Sequence, residues 1–235
     1  MIRDQSVIRA LTWNVHGCVG RDRVYDPERV ARVLEAEQPD IAALQEIDAR
    51  TARTVAPDLF SYFGNLFSGW TSVAAHTIVA KDGHYGHLVM SRWPVESLGT
   101  EELTVGRFEP RAAIFGTVRS PRADIVVMSV HLGLWFFERR RQYRRLRARL
   151  NAISARPMVA LGDFNDFPGR GMAERNMCPP FRPVPALATY PSRVPLLPLD
   201  RIWYTEPLEL VSSGTLRDAG QVSDHLPIVA SFRIP

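Results

Sequence analysis

Apolar runs of strand length recur along this chain and far outnumber its helical patterns. Ser6–Trp13, Ile41–Leu44, Leu88–Met90, Ala112–Val118, Ile125–Val130, Met158–Leu161, Ile202–Tyr204 and Ile228–Ile234 each read as a strand. Asp26-Pro27-Glu28 opens a helix: Asp26 can cap it, Pro27 suits its first position, and Glu28 suits the positive end of its dipole. Val30, Val33 and Leu34 share one face of that helix, and Pro39-Asp40 stops it. A longer helix is predicted from Phe137 to about Ile153, and proline-rich Pro179–Pro198 reads as a loop. This many strands with so few helices does not suit a simple βαβ alternation. Two packed sheets with helices outside them fit better. With 235 residues and 46% hydrophobic content, and no repeat or linker, the chain is expected to form one α/β domain over 1–235.

No apolar stretch is long enough to span a bilayer. Met1-Ile2-Arg3-Asp4-Gln5 lacks the apolar core and cleavage site of a signal peptide. The expectation is a cytoplasmic monomer. Cys18 and Cys178 form neither a metal-spaced pair nor a disulfide framework, although one bridge between them stays open. The net charge is +4, and Lys81 is the only lysine. Arginine-rich codon usage and attraction to polyanions both account for that balance, and charge alone does not choose between them.

The ends of the strands carry a second regularity. Leu11-Thr12-Trp13 runs into Asn14, Ile41–Gln45 into Glu46, Val126–Val130 into His131, and Val159–Gly162 into Asp163 with Asn165 just beyond. The proline-rich loop leads to Asp200, and Ser223 leads to Asp224-His225. One such ending means little, because turns favour Asp and Asn. The whole set, supplying only Asn, Glu, Asp and His, suggests ligands gathered along one edge of the sheets. Their oxygens are hard ligands that favour Mg2+ or Mn2+ over zinc. A hard cation beside carboxylates and histidines is the equipment for phosphoryl transfer.

The motifs Thr12-Trp13-Asn14-Val15-His16-Gly17, Leu44-Gln45-Glu46-Ile47, Ser129-Val130-His131-Leu132-Gly133, Leu161-Gly162-Asp163-Phe164-Asn165 and Ser223-Asp224-His225-Leu226-Pro227 resemble, in order, those of the endonuclease/exonuclease/phosphatase superfamily. That family includes deoxyribonuclease I, abasic-site endonucleases and neutral sphingomyelinases. Tyr85–Arg92, Glu109-Pro110-Arg111 and Leu199–Trp203 are similar to three more of its blocks. The resemblance runs from Trp13 to Pro227, and the Gly-Asp-Phe-Asn and Ser-Asp-His pair is its most specific part.

The resemblance implies a four-layer α/β sandwich of two mixed sheets flanked by helices, acting as a Mg2+- or Mn2+-dependent phosphoesterase. Glu46 would be the primary metal ligand, aided by Asn14, with Asp224 joining directly or through water. Asp163 would orient or deprotonate the attacking water, and Asn165 would hold that water or a phosphate oxygen. His225 would contact the scissile phosphate, with Asp200 accepting a hydrogen bond from its other ring nitrogen; the general base is either His225 or Asp163. His131 would be a second donor to the phosphate. Arg111 would pair with Glu46 or reach the phosphate, unless it is a plain surface arginine. His87 replaces an Asn common in its block, as a tolerated swap or as a substrate-binding donor.

Other departures bear on the substrate. His16 stands where abasic-site endonucleases carry an acidic residue, and Pro195–Leu199 replaces the inositol-phosphate phosphatase motif. Nucleic acid and a phospholipid headgroup both stay open as phosphodiester substrates. A phosphomonoester, or a non-catalytic binding module retaining the fold, is the alternative. Trp13, Trp93 and Trp203 read as core, and Cys18 as inert. Arg139–Arg149 is either a solvated helix face or a contact for an anionic surface, and apolar Leu134–Phe137 either packs inside or forms an interface.

Overall fold

The computed structural model describes residues 6–50, 58–153, 156–166 and 171–234. Met1–Gln5, on which the signal-peptide reading rests, lies outside them.

One sheet is built from β1 (Val7–Asn14), β2 (Ile41–Asp48), β3 (Thr71–Ala80), β4 (Gly83–Ser91), β11 (Glu209–Thr215) and β12 (Ile228–Arg233). The other is built from β5 (Val95–Glu102), β6 (Ala112–Arg119), β7 (Asp124–His131), β8 (Met158–Asp163), β9 (Arg182–Pro183) and β10 (Asp200–Tyr204). The orders are β11-β12-β1-β2-β4-β3 and β5-β6-β7-β8-β10-β9. Each sheet has a parallel pair inside it, β1 with β2 and β7 with β8, and every other neighbour is antiparallel.

Strand alternation sorts the apolar side chains into three layers. Ile8, Ala10, Ile41 and Ala43 from one sheet meet Ile125, Val127, Val159 and Leu161 from the other. The opposite parity of the first sheet, Leu11, Trp13, Ala42 and Leu44, packs against α1 (Pro27–Glu37) and α2 (Leu59–Gly64) through Val30, Leu34, Phe60 and Phe63. Val126, Met128, Val130 and Ala160 of the second sheet pack against α3 (Phe136–Asn151) and α4 (Met172–Met177) through Tyr143, Leu146, Met172 and Ala173. The result is the expected α/β sandwich of two mixed sheets flanked by helices. β7 and β8 are buried on both faces, which is why they read as unbroken apolar runs.

Differences from the sequence reading have local causes. β3, β5 and β11 were not expected; each lies at the end of a sheet, where one face and one edge meet solvent and polar residues are tolerated. β2 continues past Leu44 to Asp48 through a bulge, and α3 ends at Asn151 rather than Ile153. Asp26 caps α1 as expected, accepting from the Arg29 N–H at 3.2 Å. The buried side of α3 is more polar than predicted, with Glu138 and Arg139 joining Gln142, Tyr143 and Leu146. Cys18 and Cys178 are both free. Among the described residues no helix is long and apolar enough to cross a membrane.

Gly162 ties the second sheet to its functional end. It pairs with Val130 across the parallel β7–β8 ladder at a φ of 144°. A Cβ there would stand 2.0 Å from the Val130 carbonyl oxygen. Gly162→Ala is therefore expected to cost about 2–4 kcal/mol of stability from strain and backbone displacement. Urea unfolding measures this, and a midpoint equal to the parent's would contradict the packing described.

Candidate active site

The topology brings the polar strand endings to one place. β1 and β2 are parallel and finish at Asn14 and near Glu46, while β7 and β8 are parallel and finish at His131 and Asp163. β10 runs antiparallel to β8, so its first residue, Asp200, stands opposite Asp163. β12 runs antiparallel to β1, so His225, which precedes it, comes to the same edge. A cleft of about 680 Å³ opens there, lined by Glu46, Arg111, His131, Asp163, Asn165, Asp224 and His225 among others.

A bulge aims Glu46 into the cleft. Gln45 and Glu46 together stand opposite His87, between the pairs Leu44–Leu88 and Ile47–Gly86. Glu46 takes a φ of 58°, and His16 and Asn165, at 48° and 49°, share this left-handed region. Strain of this kind in non-glycine residues collects where function demands a side-chain direction.

Asn14 clamps the two sheets. Its Nδ2 donates to Glu46 Oε1 at 2.8 Å and to Asp163 Oδ2 at 3.1 Å, while its Oδ1 accepts the His16 N–H at 3.0 Å. The oxygen contact fixes which end of the amide faces the carboxylates. Asn14, expected to aid Glu46 at the metal, lies beside it and orients its carboxylate. Burial alone would raise the Glu46 carboxyl, but the facing His16 ring and the Asn14 amide hold it down at about 2, fully charged at neutral pH.

His225 Nδ1 donates to Asp200 Oδ2 at 2.7 Å. Burial disfavours the charged ring, yet the Asp200 carboxylate and its hydrogen bond outweigh that and raise His225 to about 10. The ring is an imidazolium at neutral pH, and Tyr190 packs against it with centroids 4.9 Å apart. Asp163 is pushed up to about 7 by burial and by the neighbouring Asp200 carboxylate. Its Oδ1 accepts the Asn165 N–H at 2.9 Å, and Asn165 Nδ2 donates to Leu132 O at 2.9 Å.

Arg111 turns to Glu109, at 3.1 Å, and to His131, rather than to Glu46. Arg111 Nη1 lies 2.8 Å from His131 Nδ1. A guanidinium only donates, so Nδ1 accepts and the remaining proton sits on Nε2. That nitrogen points between Glu46 and Asp163, 3.7 and 3.6 Å away. Burial, reinforced by Arg111, holds His131 well below its ordinary value, so it is a neutral donor. His87, read as a tolerated swap or a substrate-binding donor, is buried beside Arg111 and His131, outside the cleft lining, with both ring nitrogens unpartnered. Burial and Arg111 lower it to about 3, leaving it neutral.

Sequence reasoning treated His16 only as a departure. Its Nδ1 lies 3.6 Å from Glu46 Oε2 and 3.7 Å from Asp224 Oδ1, between two carboxylates. Its place two residues after Asn14, inside the first motif, was the available signal. Tyr85 and Tyr190 also line the cleft; the place of Tyr85 at the head of the Tyr85–Arg92 block and of Tyr190 in the loop before Asp200 was the available signal.

The donor set fits a divalent cation. Potential ligand atoms of Asp163, Asp200 and His225 lie within 4.8 Å of one another, and Asp200 Oδ1 is buried without a hydrogen-bond partner; while His225 is protonated, the donors of this cluster are the carboxylate oxygens. Glu46 and Asp224 add carboxylate oxygens to the same cleft. This much acidity would repel a phosphate unless a cation shared the site. The cluster is consistent with a Mg2+- or Mn2+-dependent phosphoesterase site.

The endonuclease/exonuclease/phosphatase family model matches residues 11–225. The chain belongs to this family. The YbhP protein of Escherichia coli K12 is 28% identical over 250 residues, covering 98% of each chain. The fold is shared with an endonuclease/exonuclease/phosphatase from Beutenbergia cavernae, with a TM-score of 0.75 and 22% identity over 97% of this chain and 72% of that one. It is shared also with the Bacteroides thetaiotaomicron mannosyl-6-phosphatase Bt3783, with a TM-score of 0.77 and 13% identity over 97% of this chain and all of that one, 100%.

The Asp200–His225 pair supplies a test. Asp200→Asn removes the largest of the charges that raise His225 and leaves burial opposed only by Asp163 and Asp224, so the ring's pKa falls. Imidazole 15N shifts should show the parent ring charged through neutral pH, deprotonating near pH 10, and the variant ring deprotonating at markedly lower pH. The stability linked to the raised pKa is fully present below the ordinary value of 6.5 and is lost as pH rises through about 10. The variant should lack that dependence, and an unchanged His225 titration would contradict the pairing.

Proposed function

We propose that the chain hydrolyses phosphodiesters with Mg2+ or Mn2+, acting as one domain that uses both sheets. The observation that carries this reading is the facing arrangement of Asp163 with the Asp200–His225 pair, beside the Asn14-clamped Glu46. Glu46 and Asp224 would hold the cation, which when bound neutralises phosphoryl charge. Asp163, raised toward neutrality, accepts the proton of the attacking water as the new P–O bond forms; the P–O bond to the leaving alcohol breaks, and its oxygen takes a proton from solvent. Asn165, beside it, orients that water or a phosphoryl oxygen. The His225 imidazolium donates to a phosphoryl oxygen as negative charge grows there, and neutral His131 donates through Nε2. Arg111 fixes the His131 tautomer and adds positive field to the cleft wall. Nucleic acid and phospholipid headgroups are the substrate classes of this reading. Cytoplasmic residence belongs to it too, supported by two free cysteines.

Glu46→Gln should weaken Mn2+ binding by roughly tenfold or more in calorimetry and lower kcat on a chromogenic phosphodiester by about a hundredfold. The melting temperature of the apo protein should hold or rise, because one of several crowded carboxylates is gone. Chelator should abolish turnover without unfolding the chain. Full turnover in excess chelator would overturn the metal assignment. Faster hydrolysis of the corresponding monoester would replace a diesterase with a phosphatase, the activity named for the Bacteroides structure.

A further inference from the structure

Leu134, Trp135, Phe136 and Phe137 follow His131 closely, and they are 58%, 58%, 42% and 53% exposed. Leu134 itself lines the cleft, so this patch begins at the mouth of the site. Consecutive large apolar side chains in water are unfavourable unless something covers them. The patch widens where Phe108 meets the Phe137 ring, with centroids 5.6 Å apart.

The segment is held outward by buried polar groups. The Gly133 N–H donates to buried Gln142 Oε1 at 2.9 Å, and the Trp135 N–H donates to Glu138 Oε2 at 3.5 Å. Arg139 Nη1 donates to the carbonyls of Gly133 at 3.0 Å and Leu134 at 2.6 Å. Polar residues on the inner face of α3 thus fix the backbone that presents apolar residues outside. A Cβ on Gly133 would collide with Glu138, so the approach of these two is built in.

Charge indicates what covers the patch. Arg140, Arg141 and Arg144 are exposed on the outward side of α3, and the helix's one acidic residue, Glu138, is buried. At the helical rise these arginines stand roughly 5–10 Å behind Phe137 along the axis. That spacing matches the depth to which apolar groups enter the boundary between acyl chains and headgroups. The phosphates of an anionic lipid surface would then lie level with the arginines. A nucleic acid would use the arginines and stack bases on the aromatic rings, but it offers no apolar partner to Leu134 at the cleft mouth.

We infer that Leu134–Phe137 and the arginines behind it form a docking surface for an anionic membrane, seating the cleft mouth against lipid. Taken with the phosphodiesterase reading, on which this step rests, the substrate class is a phosphodiester headgroup carried by a lipid.

Flotation of the full chain, without added metal, tests the docking. The probes are vesicles of phosphatidylcholine alone and vesicles with about one-third phosphatidylglycerol. Only the anionic vesicles should carry the protein, and binding should weaken as salt rises. Trp135→Ser combined with Phe137→Ser should bind at least about tenfold more weakly. The triple change Arg140→Gln, Arg141→Gln, Arg144→Gln should do the same and remove the anionic preference. All five side chains are exposed, and unchanged circular-dichroism melts verify folding. Absence of flotation at low salt, or full binding by the Trp135/Phe137 variant, overturns the proposal. Tighter binding to a DNA oligomer than to vesicles reassigns the arginines to nucleic acid. A dimer that the serine variant dissociates assigns the patch to a second copy. Turnover of a soluble diester, measured separately and retained in both variants, distinguishes failure of the catalytic reading from failure of the docking.

Discussion

The side-chain amide of Asn14 donates to Glu46 on its own sheet and to Asp163 on the opposite sheet, at 2.8 and 3.1 Å. The rest of the site depends on this crossing. Carboxylates from two sheets are brought together where the strands end, and buried like charges repel strongly. The amide hydrogens lie between two of them, and the His225 imidazolium meets Asp200. Asn14 is held in turn: its backbone carbonyl accepts from Ser223 Oγ at 2.7 Å, and Ser223 Oγ also accepts the His225 N–H at 3.2 Å. The Ser-Asp-His motif and the first strand are thus one unit. Trp13, buried in the core, adds to it by donating from Nε1 to the His225 carbonyl at 3.0 Å.

Crowding also separates the protonation behaviour of similar groups. Glu46 stays charged, while Asp163 is raised toward neutrality by burial and by Asp200. His131 is neutral because burial, reinforced by the Arg111 guanidinium, disfavours its charge, whereas at His225 the Asp200 carboxylate outweighs burial and keeps the ring cationic. Such divergence in neighbouring groups is what acid–base chemistry requires. It arises from contacts between β-strands remote in sequence, with local backbone strain at His16, Glu46 and Asn165 setting the directions.

The polar underside of α3 connects the site to the surface beside it. Gln142 and Arg139 fix the loop that leaves His131, and that same loop carries the exposed aromatic segment. The arginines of this helix consequently divide into kinds that the sequence alone could not separate. Arg139 is buried in a structural role, and Arg145 and Arg149 donate to backbone carbonyls of the neighbouring strand region. Arg140, Arg141 and Arg144 lie on the outward side.

The sequence by itself determined the buried strands, the capped first helix and the residues placed at the strand ends. Those features are local: apolar runs need two covered faces, and Asp26-Pro27 satisfies a helix start on its own. The ordered motifs also identified the family and gathered the cleft residues Glu46, His131, Asp163 and His225. Edge strands such as β3 and β5 escaped notice because a half-exposed strand does not need an apolar pattern. Only the tertiary structure placed His87 behind the cleft wall, turned Arg111 to His131, set His16 between Glu46 and Asp224, and exposed Leu134–Phe137. Each of these depends on distances between residues far apart in the chain. A side chain's composition does not say which neighbour it will meet, and burial and charge are decided by those neighbours.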